Sequence, residues 1–154
     1  MLEKEVIENL SEAVIYCSKF KNDDGTTEIS LVFPYNITPP SKFEGISMGR
    51  FTFFENKLDH FVFDYSEYKP SDINDFVTQA SKTLNLPKSS WKYEYESATI
   101  VCKGFEVIIF TGVEGRKLNY PTIIFSDLEA EAKKERQIKE AKQKEELKKK
   151  VFKP

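Results

Sequence analysis

Apolar positions along this chain switch repeatedly between the helical and the strand period. Leu2, Val6 and Leu10 recur four apart among Glu, Lys and Asn, which is the spacing of one helix face. Ala13 and Cys17 continue that spacing, so the first helix is expected to run to about residue 18, ahead of the competing hairpin through Val14, Ile15 and Tyr16. Asn22-Asp23-Asp24-Gly25 is a turn cluster. Ile29 to Tyr35 then reads as a strand that Pro34 confines to an edge or a terminus. After a Thr38-Pro39-Pro40-Ser41 loop, residues 50–55 and 58–65 form a hairpin about Glu55-Asn56-Lys57. Phe51 and Phe53 on one strand, with Phe61, Phe63 and Tyr65 on the other, alternate with polar residues. That is the pattern of a half-buried antiparallel sheet.

The second helix is more sharply drawn. Ser71 is expected to cap it, Asp72 and Asp75 fill its first turn, and Ile73, Phe76, Val77, Ala80 and Leu84 repeat at helical spacing before Pro87. Trp91, Tyr93 and Tyr95 alternate with Lys92, Glu94 and Glu96 as a strand. Residues 99–102 and 105–110 flank Lys103-Gly104 as a second hairpin, and Val107-Ile108-Ile109-Phe110 reads as a central strand. A loop from Gly112 to Asn119 leads to a last strand at residues 120–125.

The chain ends in a charge-saturated helix. Ser126-Asp127-Leu128-Glu129 reads as a capping box. Asp127, Glu129 and Glu131 at its start and Lys148, Lys149 and Lys150 near its end both oppose the helix dipole. Glu precedes Lys by four residues in five pairs, at 129/133, 135/139, 140/144, 145/149 and 146/150. Each is worth about 0.2–0.5 kcal/mol. Taking Leu128 as zero and about 100° per residue, Ile138, Ala141, Leu147 and Val151 scatter at about 280°, 220°, 100° and 140°. No apolar stripe forms, which argues against a coiled-coil seam or a membrane-surface helix.

The order of helix, strands, helix, strands, helix with hairpin-length links predicts an α+β fold. We expect an antiparallel sheet of about five to seven strands, two helices packed on one face, and the long charged C-terminal helix. Residues 1–126 read as the globular domain and 127–154 as a solvent-exposed helix. With 154 residues, 40% of them apolar and 14% aromatic, there is enough chain for a true core. The net charge of −2 hides an asymmetry. Residues 127–154 carry ten Lys/Arg against seven Asp/Glu, and residues 1–126 carry thirteen against eighteen, or +3 and −5. An acidic body is a poor match for nucleic acid. No run approaches the roughly 18 apolar residues of a membrane span. The first residues lack a charged and then apolar leader pattern, so a cytoplasmic location is expected.

Candidate chemistry is sparse. Two cysteines 85 positions apart, Cys17 and Cys102, make no disulfide framework and read as ordinary half-buried thiols. His60 is the single histidine, which removes multi-histidine zinc sites and leaves only a Cys–His dyad to consider. Its parity opposite Phe61 and Phe63 favours a solvated or sheet-covering imidazole. Residues 112–117 resemble a phosphate loop only superficially, since the expected following element is a strand and not a helix. Arg116 and Lys117 are at most anion contacts at a loop tip. No carboxylate pair is set apart for acid–base work.

These readings assign no catalytic residue, metal or cofactor. The leading expectation is a non-catalytic protein that binds another macromolecule, most plausibly a protein, in the manner of immunity, inhibitor or mobile-element accessory proteins. Trp91, Tyr93 and Tyr95, the Arg116–Lys117 tip, and Lys148, Lys149, Lys150 with Phe152 are the candidate contacts. The competing expectation is a small-ligand binder or enzyme with a pocket between sheet and helices. A weaker one is a nucleic-acid accessory acting through the tail.

Overall fold

The computed structural model describes residues 1–66, 69–112 and 121–151, with side chains described to Lys149. It is an α+β fold on one antiparallel sheet of eight strands, more than the five to seven expected. Helix α1 (Glu3–Asn9) is followed by a 3-10 segment, Ser11–Tyr16, and then by β1 (Cys17–Lys21), β2 (Thr27–Val32), β3 (Ile46–Phe54) and β4 (Lys57–Tyr65). Helix α2 (Ile73–Leu84) is followed by β5 (Lys92–Glu94), β6 (Ser97–Cys102), β7 (Phe105–Phe110) and β8 (Thr122–Asp127). Helix α3 (Leu128–Val151) closes the chain. Among the described residues no helix is long and apolar enough to cross a membrane.

The first helix ends earlier than its spacing predicts. Leu10 leaves the α conformation, and Cys17 pairs with Leu31 at the start of the β1–β2 hairpin. The apolar period holds through Ala13, which is buried with Val6 and Leu10, and Val14-Ile15-Tyr16 stay in the 3-10 segment; from Cys17 onward pairing with β2 across the Asn22–Gly25 turn replaces the helix. Cap assignments also move by one residue. Asp72, not Ser71, caps α2, its carboxylate accepting from Asp75 N at 2.8 Å. Asp127 caps α3, accepting from Glu129 N and Ala130 N at 3.0 and 3.1 Å. Ser126 remains inside β8. In both cases a carboxylate placed next to the serine takes the orphan N–H groups, with the dipole adding to the hydrogen bonds.

Strand order β1-β2-β3-β4-β8-β7-β6-β5 reads alike from either end. Each half is a helix and then four meandering antiparallel strands, and in the sheet the halves are joined by the pairing of β4 with β8. The pair Val62–Ile124 marks the centre of that junction, so a local two-fold relates the halves. No repeat is visible in the sequence. The β3–β4 turn holds Glu55 and Asn56 at φ 50° and 64°, and the β6–β7 turn holds Lys103 and Gly104 at 51° and 85°. Both are the two-residue hairpin form whose twist matches the strands.

An apolar row crosses six strands on the helix-covered face: Ile29, Phe51, Phe61, Phe125, Val107 and Ile100 are register neighbours in that order. Two separate cores grow from this face. In one, Val6, Leu10 and Ala13 bury Ile29, Leu31 and Phe53. In the other, Phe76, Val77 and Ala80 bury Ala98, Ile100 and Ile109. Helix α3 lies across the opposite face at the β3–β4 turn. Lys133 and Gln137 reach Glu55, and Lys134 Nζ meets Asp24 Oδ2 at 3.1 Å. Of the Glu–Lys pairs expected within the helix, 145/149 closes at 2.6 Å.

Candidate functional site

Between the two cores, over the central β4–β8 pair, the described residues leave the helix-covered face incompletely filled. Phe61, Phe63 and Phe125 are half-buried there, whereas Phe51, Val107 and Ile109 beside them are buried. The aromatic rings hold one another. Phe61 stacks on Phe125 with centroids 4.3 Å apart and planes 15° from parallel, and Phe63 stands edge-on to Phe61 at 5.4 Å. Such offset and edge contacts are the favoured geometries of ring quadrupoles. The result is a shallow groove with an aromatic floor.

A cavity opens on each side of this floor. One, of about 260 Å³, lies against α1 and takes Val6, Leu10, Leu58, Phe61 and Phe63 into its wall. The other, of about 320 Å³, lies against α2 and takes Tyr65, Phe76, Ala80, Leu84 and Ile123. Their polar members, Asn9 and Lys42 on one and Glu44, Gln79 and Thr83 on the other, are exposed and form a rim. Tyr65 sits edge-on to Phe76 at 6.5 Å, and burial pushes its phenol pKa up, so it stays neutral. An apolar floor with a polar rim is the general plan of a binding groove.

A second cluster lies on the other face, beneath α3. His60 Nδ1 is 3.0 Å from Ser126 Oγ across the β4–β8 pair. Burial pushes the imidazole pKa down, against the pull of Asp59 and Glu131. Asp59 is the extra residue of a bulge, since Thr52 pairs with His60 and Phe53 with Leu58. The bend turns Asp59 under α3, where it is only 5% exposed and its Oδ1 has no hydrogen-bond partner among the described residues. Burial raises its pKa; Lys134 opposes that, yet Lys134 is already committed to Asp24. Two hydrogen bonds donated by Thr26, from its hydroxyl and its backbone N–H to Asp24 Oδ1, with Lys134 adding less, hold Asp24 at a pKa of about 2. A cleft of about 410 Å³ separates this cluster from Glu131, Glu135 and Ile138 of α3. Among the described residues no three His, Cys, Asp or Glu side chains converge as metal ligands. Ser126 is buried, 6% exposed. The His60–Ser126 pair bridges β4 and β8 on the face that α3 crosses.

The residues singled out by sequence lie elsewhere. Trp91 is core: it is 5% exposed and its Nε1 donates to Ser81 Oγ at 2.9 Å. Tyr93 and Tyr95 are 45% and 90% exposed at the β5 edge, so the three rings do not form one accessible row. Lys148 and Lys149 are exposed on the last turns of α3. Lys150 is helical with its side chain outside the description, and Arg116, Lys117 and Phe152 lie outside the described residues. Neither cysteine is in a disulfide. Cys17 Sγ contacts Ala13 O at 3.5 Å, and burial pushes its thiol pKa up, away from nucleophilic chemistry. Sequence reasoning found Phe61 and Phe63 as inward-facing but not the gap above them, because the gap depends on where α1 and α2 come to rest. No family model, curated protein or solved structure matches this chain.

Proposed function

We propose that this chain is a non-catalytic protein-binding module that takes an apolar segment of another protein into the groove between α1 and α2. The observation that carries this reading is the half-buried Phe61–Phe125 stack, at 4.3 Å, between two buried cores and with a cavity on either side of it. Leaving large aromatic rings partly wet forgoes burial worth about 1.5–3 kcal/mol per side chain, and a partner that covers them recovers it. Because the polar groups sit at the rim, the floor recognises shape and apolarity, not an oriented polar ligand. A helix suits such a floor, since its backbone hydrogen bonds are satisfied internally.

The test uses a polarity-sensitive naphthalene sulfonate dye and a rim substitution. Thr83 is exposed and borders the α2-side cavity, so Thr83→Trp fills the space from outside the core. The native chain is expected to enhance dye fluorescence, and Thr83→Trp to reduce that enhancement severalfold with unchanged circular dichroism. A native chain that leaves the dye dark, or a variant that enhances it equally, overturns the reading.

A further inference from the structure

Beneath α3, three carboxylates face one cleft with no cation of their own. Asp59 lies on the sheet side of this space of about 410 Å³, and Glu131 and Glu135 lie on the helix side. Asp59 is 5% exposed, and its Oδ1 has no hydrogen-bond partner among the described residues. Glu131 is half-buried and Glu135 exposed, and neither is in an ion pair among the described residues. Lys134 also lines the cleft, but its Nζ is held by Asp24 at 3.1 Å. His60 supplies no charge at neutral pH, because burial keeps its imidazole pKa below the usual value. Asp59 meets further repulsion from Glu131 and Asp127. A buried carboxylate among like charges is stable in its ionised form only beside a cation. We propose that this cleft binds a linear aliphatic polyamine, with one ammonium between Asp59 and Glu131 and a second at Glu135. The site is on the face opposite the aromatic groove and is independent of it.

The ligand class follows from how the negative charge is spread. Among the described residues no three His, Cys, Asp or Glu side chains converge as metal ligands, so the cleft serves a compact ion poorly. Glu131 and Glu135 are one helical turn apart, with Cβ atoms about 5–6 Å from each other. A chain of three or four methylenes separates two ammonium groups by about that distance. Each ammonium brings up to three donors, and its hydrogen bonds to carboxylates are charge-assisted. Ile138 lines the same cleft and offers the methylenes an aliphatic surface. An adjoining cleft of about 480 Å³ shares Lys134 and Ile138 with the first and carries Asp23 and Asp24. A third nitrogen on the same chain therefore reaches a further acidic pair. Across both clefts six Asp or Glu line the walls against two Lys, an excess that favours a ligand of more than one positive charge.

The probe is spermidine, titrated into the full chain by calorimetry, with n-butylamine and magnesium chloride as comparisons. Spermidine is expected to bind at one site per chain, n-butylamine about tenfold more weakly, and magnesium at equal concentration is expected not to displace spermidine. Asp59→Asn and Glu131→Gln should each weaken spermidine about tenfold, the scale of one charge-assisted contact. Glu135→Gln should weaken it about threefold, since that carboxylate is exposed and screened. Glu140→Gln removes the same charge from α3 outside both clefts and should leave binding unchanged. Glu131 is on the helix surface facing the cleft, so its variant tests the site even if Asp59→Asn disturbs the fold. The proposal fails if spermidine does not bind, or if Glu131→Gln binds it as the parent does. It also fails if Glu140→Gln weakens binding as much as Glu131→Gln, or if magnesium displaces spermidine, because the chain would then be reading charge alone.

Discussion

Phe61 and Phe125 are stacked at 4.3 Å across the one strand pair that joins the two halves of the sheet. Phe61 packs against the α1 core and Phe125 against the α2 core, so the stack is where the cores touch. Either ring truncated to Ala should cost about 2 kcal/mol, below the usual range for a fully buried Phe because both are half-buried. The double substitution should show a coupling of about 0.5–1.5 kcal/mol in a urea double-mutant cycle. Additive losses would mean that the halves are coupled through the backbone ladder alone.

Trp91 reads as a binding residue in sequence and behaves as an anchor of the second core. Its indole N–H is buried and finds an acceptor in Ser81 Oγ at 2.9 Å. Ser81→Ala removes that acceptor without changing the helix propensity adversely. The stranded donor should then cost about 1–3 kcal/mol in chemical denaturation, with an unchanged m value. A variant as stable as the parent would show that the N–H finds water instead.

What was legible in the sequence is largely local. The Phe51/Phe53 and Phe61/Phe63 alternation, the α2 period and the Lys103-Gly104 turn each sit where their spacing places them. What was hidden depends on partners far along the chain. Cys17–Lys21 becomes a strand because β2 offers it a ladder, against a helical apolar period. The same long-range logic makes β4 and β8 neighbours with 66 positions between His60 and Ser126. The groove is hidden for a further reason: alternation says that Phe61 faces inward, but only the resting places of α1 and α2 say what lies above it.

Gly49 borders that aromatic floor from the neighbouring strand β3. It pairs with Phe63, and a Cβ built there would lie 3.0 Å from Phe63 Cε1 and 3.2 Å from Cδ1. The ring must give way, and because Phe63 is half-buried it has room to move toward the groove. Gly49→Ala should therefore cost only about 1 kcal/mol of stability. It should lower dye binding more than that loss of stability explains, since a raised Phe63 ring narrows the α1-side cavity. Intact dye binding with a large stability loss would place the displaced ring in the core instead.

Asp59 sets a pH dependence whose sign can be worked out. Burial raises its folded pKa above the unfolded value near 3.8, so between those values the folded chain holds a proton that the unfolded chain has released. Its contribution to stability is thus fully present below about pH 4 and is lost as pH rises through the folded value. His60 acts oppositely. Its folded pKa lies below 6.5, so the unfolded chain binds the extra proton and stability falls as pH drops below that point. Asp59→Asn removes the carboxyl titration and leaves the imidazole in place. The variant's stability relative to the parent should rise as pH goes from about 4 to 7, with little change below about 4. His60→Gln as a common background removes the interaction between the two groups and should leave that trend intact. Urea midpoints for parent and Asp59→Asn that run parallel across this range would show that the carboxyl is solvated despite α3, and that the helix does not seal it.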